Sequence, residues 1–220
     1  MTIHKNIAAV IDLGSNTFRL LVANCSAGNL IVLAKKMATV SLGRGLEDNG
    51  MLHEDSMQKG LAVIHSFQET LAHYRPQNIR ICGSAALRQA RNSRLFLQRA
   101  GQILRQPIDV ISGEEEAGLS LAGVLAGFTE PFSSPLLLVD VGGGSTELVF
   151  AESPAGATRV KSVPLGVIRL TENFFAPSQH DLVLLDSLLA ETLNSALEEL
   201  ALAQKNQPVL IIGCGGSATS

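Results

Sequence analysis

Asp12-Leu13-Gly14-Ser15-Asn16-Thr17 sits between two short apolar runs, and Asp140-Val141-Gly142-Gly143-Gly144-Ser145-Thr146 sits between two more. In each case a strand-like run ends at the aspartate, residues 7–11 before Asp12 and residues 136–139 before Asp140. A second such run follows the turn, at 18–23 and at 147–151. This pattern reads as a hairpin, not as the strand-then-helix opening of a dinucleotide fold. Two copies are too few for a solenoid, which needs three or more stacked units. They fit a pair of similar domains.

Working outward, residues 30–40 give a third strand with basic residues in it. From 54 to 74 the spacing becomes helical, with Met57, Leu61, Ile64, Phe67 and Leu71 three or four apart. Residues 79–82 read as a strand, 92–104 as a helix and 108–111 as another strand. Residues 112–127 read as a helix that Ser112 caps, with Glu115 completing a capping-box pattern. The turn-rich stretch Phe128-Thr129-Glu130-Pro131-Phe132-Ser133-Ser134-Pro135 places the domain boundary, giving domains at 1–128 and 129–220. In the second domain, strands are expected at 136–139, 147–151, 159–164 and 209–212, and a long helix at 179–204.

Composition narrows the function. The 220 residues are 46% hydrophobic with a net charge of -3, enough for two modest cores. No dense Lys/Arg block exists, which disfavours broad binding to nucleic acid or to a membrane surface. No apolar stretch approaches the roughly 20 residues of a membrane helix. Cys25, Cys82 and Cys214 are far apart and show neither zinc nor redox spacing. A reduced, cytoplasmic protein without a secretory signal is expected. His4, His53, His65, His73 and His180 form no triad, and Phe174 and Phe175 are expected in the core.

Glycines let a backbone approach a ligand and turn its N–H groups inward, which makes a concavity for anions. Ser and Thr add hydroxyl donors, and an aspartate at the strand end can hold Mg²⁺. The competing reading is an ordinary hairpin turn, since Asp, Gly, Ser and Asn are common turn residues. The matched pair, with a third glycine loop at Gly213-Cys214-Gly215-Gly216-Ser217, favours the phosphate-binding reading. No GxxxxGK[ST] sequence is present.

The run from Asp12 through Arg19 and Leu20, with Asp140 through Glu147, resembles the exopolyphosphatase / guanosine pentaphosphate phosphohydrolase (Ppx/GppA) family. Leu87-Arg88-Gln89-Ala90 and Ile111-Ser112-Gly113-Glu114-Glu115-Glu116-Ala117 match two further signatures in order, and Leu42-Gly43-Arg44-Gly45-Leu46 adds weaker similarity. The resemblance implies an α/β protein of two actin-like (ribonuclease H-like) domains facing each other across a cleft. It also implies a hydrolase acting on inorganic polyphosphate or a guanosine polyphosphate, with Mg²⁺ as cofactor; the reading admits a homodimer.

Residue by residue, Glu116 matches the base that activates water, and Asp12, Asp140 and Glu147 match carboxylates that organise metal and phosphates. Arg88 matches a phosphate-contacting arginine. Gly14, Ser15, Asn16, Thr17, Gly142, Gly143, Gly144, Ser145, Gly215, Gly216 and Ser217 match the phosphate loops. Without the resemblance, Glu114, Glu115 and Glu116 read first as solvated, helix-capping charge, and nothing in the run singles out one of them. Arg88, Arg91, Arg94 and Arg99 are likewise readable as one solvated basic face. The chain has Gly118 where the family carries an arginine, and stops soon after the third loop, so a truncated second domain is expected. A kinase of the same superfamily and a non-catalytic sensor remain as alternatives.

Overall fold

The computed structural model describes residues 6–26, 30–128, 135–153, 158–175, 181–200 and 209–215. The chain forms two compact units, Met1–Ile111 and Ser112–Ser220.

In the first unit, β1 (Ile7–Leu13), β2 (Thr17–Asn24) and β3 (Ile31–Thr39) form an antiparallel meander. α1 (Leu46–Asn49) and α2 (Glu54–Tyr74) lead to β4 (Asn78–Gly83), which adds parallel to β1. α3 (Ala85–Gln89) and α4 (Ser93–Leu104) precede β5 (Asp109–Val110), and the sheet order is β3-β2-β1-β4-β5. Strand alternation sends Ile7, Ala9, Ile11 and Leu13 inward while Val10 stays exposed. The expected stripe Met57, Leu61, Ile64, Phe67 and Leu71 lines the buried face of α2. Gly60 lets α2 approach closely, because a Cβ there would stand 3.1 Å from the Phe18 ring and 3.2 Å from Phe96.

The second unit opens with α5 (Gly113–Gly127) and continues through β6 (Leu136–Val141), β7 (Thr146–Ala151) and β8 (Thr158–Val163). α6 (Val167–Phe174), α7 (Leu182–Glu199) and β9 (Leu210–Cys214) complete it. Its order, β8-β7-β6-β9, repeats the first four strands of the other sheet, with two antiparallel pairings and one parallel. The sheet is apolar on both faces. Leu136, Leu138, Val149 and Ala151 pack under Ala117 and Leu121 of α5, while Leu148, Val163 and Leu165 pack against Ala196 and Leu200. Truncating a wholly buried leucine such as Leu138 to alanine would cost about 2–5 kcal/mol.

Several expectations are corrected. The units divide between Ile111 and Ser112 rather than between 128 and 129, because α5 packs on β6, β7 and β8. The helices α1, α3 and α6 were not anticipated. Phe174 is buried but Phe175 is 46% exposed, one residue beyond the end of α6. Of the four arginines, Arg91 and Arg94 are exposed, and each of the other two has a partner: the half-buried Arg88 donates to the Ile111 carbonyl and Arg99 to Glu54; Arg91 also donates to the Asn49 carbonyl. The long helix is described over Leu182–Glu199, and the rest of its expected span at 179–180 and 201–204 lies outside the described residues. Among the described residues no helix is long and apolar enough to cross a membrane.

Candidate active site

The two glycine turns close in the same way. Gly14 N–H donates to the Thr17 carbonyl at 3.2 Å, and Gly142 N–H donates to the Ser145 carbonyl at 2.9 Å. A Cβ at either glycine would lie within 2.9 Å of that same carbonyl oxygen, which is why both turns need glycine at this point. The register then puts Asp12 opposite Arg19 and Asp140 opposite Glu147. In the parallel direction Asp12 lies beside Cys82, and Asp140 beside Cys214. The duplication therefore extends to the strands on both sides of each aspartate.

In the first turn Ser15 is only 4% exposed, and its hydroxyl accepts from Ala86 N–H at the start of α3. Asn16 Oδ1 accepts from the Ser41 hydroxyl. Both side chains hold the turn in place. Arg88, on α3, donates through Nη1 to the Ile111 carbonyl at 2.8 Å.

The second turn carries the denser chemistry. On β6 the inward positions run Leu136, Leu138, Asp140, and on β7 they run Ala151, Val149, Glu147. The apolar surface under α5 thus ends in a directly paired aspartate and glutamate, whose side chains share one face. The helix supplies their partners. Ser120 donates to Asp140 Oδ2. Glu116, one turn earlier on the same side of α5, lies close enough to act on Glu147 electrostatically. Ser112 accepts from Glu115 N–H at 3.1 Å, so the expected cap fixes where α5 begins and hence where Glu116 points.

Glu147 is 2% exposed and accepts at Oε1 from Ser145 at 2.8 Å and from Ser162 at 2.9 Å. Its carboxyl is pushed up to about 7. Burial is the main cause, followed by the neighbouring Glu116 charge and, more weakly, by Asp140; the two serine hydroxyls pull the other way. A third loop touches the same place. Gly215 has φ 110°, and a Cβ on it would stand 2.2 Å from the Val141 carbonyl oxygen, so only glycine fits against the end of β6. Gly216 and Ser217 lie outside the described residues.

The structure therefore gathers Glu116, Asp140, Glu147, Gly142, Gly143, Gly144, Ser145 and Gly215 within the second unit. Asp12, Gly14, Ser15, Asn16, Thr17 and Arg88 belong to the first. Among the described residues no three His, Cys, Asp or Glu side chains form a metal-holding group. Mg²⁺ commonly takes only one or two carboxylates, with water and substrate phosphate for the rest, and the hard oxygens of Asp140 and Glu147 fit that demand. The negative charge around Glu147 that helps raise its carboxyl is also what a divalent cation would relieve. A groove of about 500 Å³ between β8 and α7 shares Ser162 with this centre but includes none of the loop glycines, Glu116 or Asp140.

Sequence reading missed Ser120 and Ser162. Ser120 follows Glu116 by four, the spacing of one helix face. Ser162 becomes visible only through the register that sets it opposite Glu147.

A model of the Ppx/GppA phosphatase family matches residues 21–218. The chain is 43% identical over 171 residues to the guanosine-5'-triphosphate,3'-diphosphate pyrophosphatase of Vibrio parahaemolyticus, covering 78% of this chain and 34% of that protein. It is 39% identical over 202 residues to the protein of the same name from Vibrio cholerae, covering 92% and 38%. It is similar to the solved structure of an exopolyphosphatase from Cytophaga hutchinsonii, with TM-score 0.86, 27% identity, and coverage of 96% of this chain and 67% of that one. An Aquifex aeolicus structure from the characterisation of the Ppx/GppA protein family gives TM-score 0.72, 27% identity, and coverage of 97% and 67%. The chain spans about a third of the length of the curated relatives it matches.

Proposed function

The chain belongs to the Ppx/GppA phosphatase family and has its actin-like fold, and from that premise we propose that it releases the terminal phosphate of a guanosine pentaphosphate or of inorganic polyphosphate. The guanosine compound is the favoured substrate, because the relatives at 39–43% identity carry that name. The observation that supports a hydrolytic centre is the convergence of Glu116, Asp140 and Glu147 beside a glycine turn, with the Glu147 carboxyl pushed up to about 7 mainly by burial and then by the Glu116 charge.

Phosphoanhydride hydrolysis requires a placed water, neutralised phosphate charge and an acceptor for the water proton. In this reading Glu116, presented by the capped first turn of α5, orients water and takes its proton as the new P–O bond forms. The bond to the bridging oxygen breaks, and the shortened guanosine polyphosphate or polyphosphate leaves as the anion. The N–H groups of the 142–145 and 14–17 turns, with Gly215, Gly216 and Ser217, are assigned to phosphate oxygens, and Arg88 contributes positive charge. Asp12, the matching carboxylate of the first turn, is assigned with Asp140 and Glu147 to organising metal and phosphate charge. Mg²⁺, when bound, would sit on Asp140 and Glu147 and offset charge on the phosphate oxygens. Ser120 steadies Asp140, and Ser145 with Ser162 steadies Glu147.

Phosphate release from guanosine pentaphosphate and from polyphosphate, measured side by side with and without Mg²⁺, tests this reading. Mg²⁺-dependent release, faster from the guanosine compound, is expected. ADP formation that requires a small acceptor, or binding without release, would overturn it.

A further inference from the structure

Behind each glycine turn the chain passes once more, directly after the third strand of the unit. The passing stretch is Val40-Ser41-Leu42-Gly43 after β3 and Val163-Pro164-Leu165-Gly166 at the end of β8. In both, the leucine is anchored in the core of its own unit, Leu42 at 0% and Leu165 at 5% exposure. In both, the amides that follow or precede it capture carbonyls of the turn. Val40 and Ser41 N–H donate to the Asn16 carbonyl at 2.8 Å, and Gly43 N–H donates to Ser15 at 2.9 Å. Val167 N–H donates to the Gly142 carbonyl at 3.0 Å, and Ile168 N–H to Gly143 at 2.9 Å. Because Gly14 matches Gly142, Ser15 matches Gly143, and that carbonyl is held in both units, from Gly43 in the first and from Ile168 in the second; the other held carbonyl is the one after it in the first turn, Asn16, and the one before it in the second, Gly142.

The glycines set how close the grip is. A Cβ on Gly43 would lie 3.3 Å from the Ser15 Cβ, a contact relieved by a small shift. A Cβ on Gly166 would lie 2.3 Å from the Gly143 oxygen and 2.4 Å from the Gly144 Cα, where only backbone movement makes room. Thr146 ties the second stretch down by donating to the Leu165 carbonyl at 2.5 Å from a buried position.

The N–H and C=O of a planar trans peptide point in opposite directions. Fixing the carbonyls from behind therefore aims the N–H groups on the other side. Glycine-rich backbone has more freedom to lose than any other, so such a turn holds a set geometry only if something over-determines it. The first amides of α6 lack partners within their own helix and gain them here, so the grip also completes the helix end. Donors fixed in advance need no reorganisation when charge develops on a phosphate.

We infer that the two Leu-Gly stretches are a duplicated positioning device for the phosphate turns, with Gly43 and Gly166 as positioning residues and Gly166 the more demanding of the two. This rests on the hydrolase reading above for what the turns hold.

The test compares Gly166→Ala, Gly43→Ala, Thr146→Val and Thr146→Ser in the whole chain. Displacing the 143–144 backbone by roughly an ångström should lower kcat about 100-fold in Gly166→Ala, with KM changing less, and Gly43→Ala should lose no more than about 5-fold. Thr146→Val should lower kcat about tenfold, and Thr146→Ser, which keeps the hydroxyl, should restore it. Affinity for inorganic tripolyphosphate, measured by calorimetry in a Glu116→Gln background, should follow the same ranking. Unchanged kcat in Gly166→Ala, or equal losses in both Thr146 variants, overturns the inference. If Gly166→Ala does not fold, the Thr146 pair decides alone, by rescue or its absence. If the parent chain binds tripolyphosphate but releases no phosphate, the hydrolase reading fails while the affinity ranking still decides this one. A flat ranking in a chain that does release phosphate defeats the positioning device alone.

Discussion

Glu147 is a buried carboxyl set among other acidic groups. Its carboxyl is raised from 4.5 to about 7. A folded value above the unfolded one means that, between the two, the folded chain holds a proton the unfolded chain has released. Stability contributed by Glu147 is therefore full below about pH 4.5, falls as pH rises through the window, and levels off above 7. The rise corresponds to about 3 kcal/mol at 1.36 kcal/mol per unit. Denaturant unfolding of the metal-free chain between about pH 5 and 8 should show this decline, and Glu147→Gln should flatten it. An unaltered slope in the variant would assign the effect to another group. At this scale, the aspartates, Glu147 and Glu116 were legible because motif and resemblance marked them. Ser120 and Ser162 were not, since a serine announces nothing until a register or a helix face brings its hydroxyl to a carboxylate.

At the level of elements, α5 decides most. Read along the chain it follows β5 and precedes a turn-rich stretch, so the sequence grouped it with what came before. Packing groups it with what comes after, because Ala117 and Leu121 bury against the second sheet. Local pattern reports where a helix starts, not which sheet it will cover. The cap was legible and accurate. Ser112→Ala should therefore cost about 1 kcal/mol and lower the unfolding midpoint; a midpoint equal to that of the parent chain would show that the Glu115 N–H finds equal satisfaction in water. α2 was foreseen from Glu54 to Tyr74 because five apolar residues repeat at helical spacing over many turns. α6 was missed for the converse reason. It has eight residues, lies just after Pro164 and Gly166, and is too short for periodicity to stand out.

For the whole molecule, the duplication was the decisive signal, and it goes deeper than the two turns that revealed it. Strand order, the register at each aspartate and the Leu-Gly stretch behind each turn all recur. Yet the two units are chemically unlike at matching positions: Asp12 faces Arg19 where Asp140 faces Glu147. One fold therefore presents its glycine turn beside a mixed charge pair in the first unit and beside a purely acidic pair in the second. In the proposed mechanism the acidic pair, with Glu116 close enough to act on Glu147, takes the cation and the activated water. The most direct measurement of this account is phosphate release from guanosine pentaphosphate at saturating Mg²⁺ by the parent chain and by Glu116→Gln, alongside substrate affinity. The expected result is retained affinity with turnover reduced by about 100-fold or more; near-normal turnover by Glu116→Gln would contradict it.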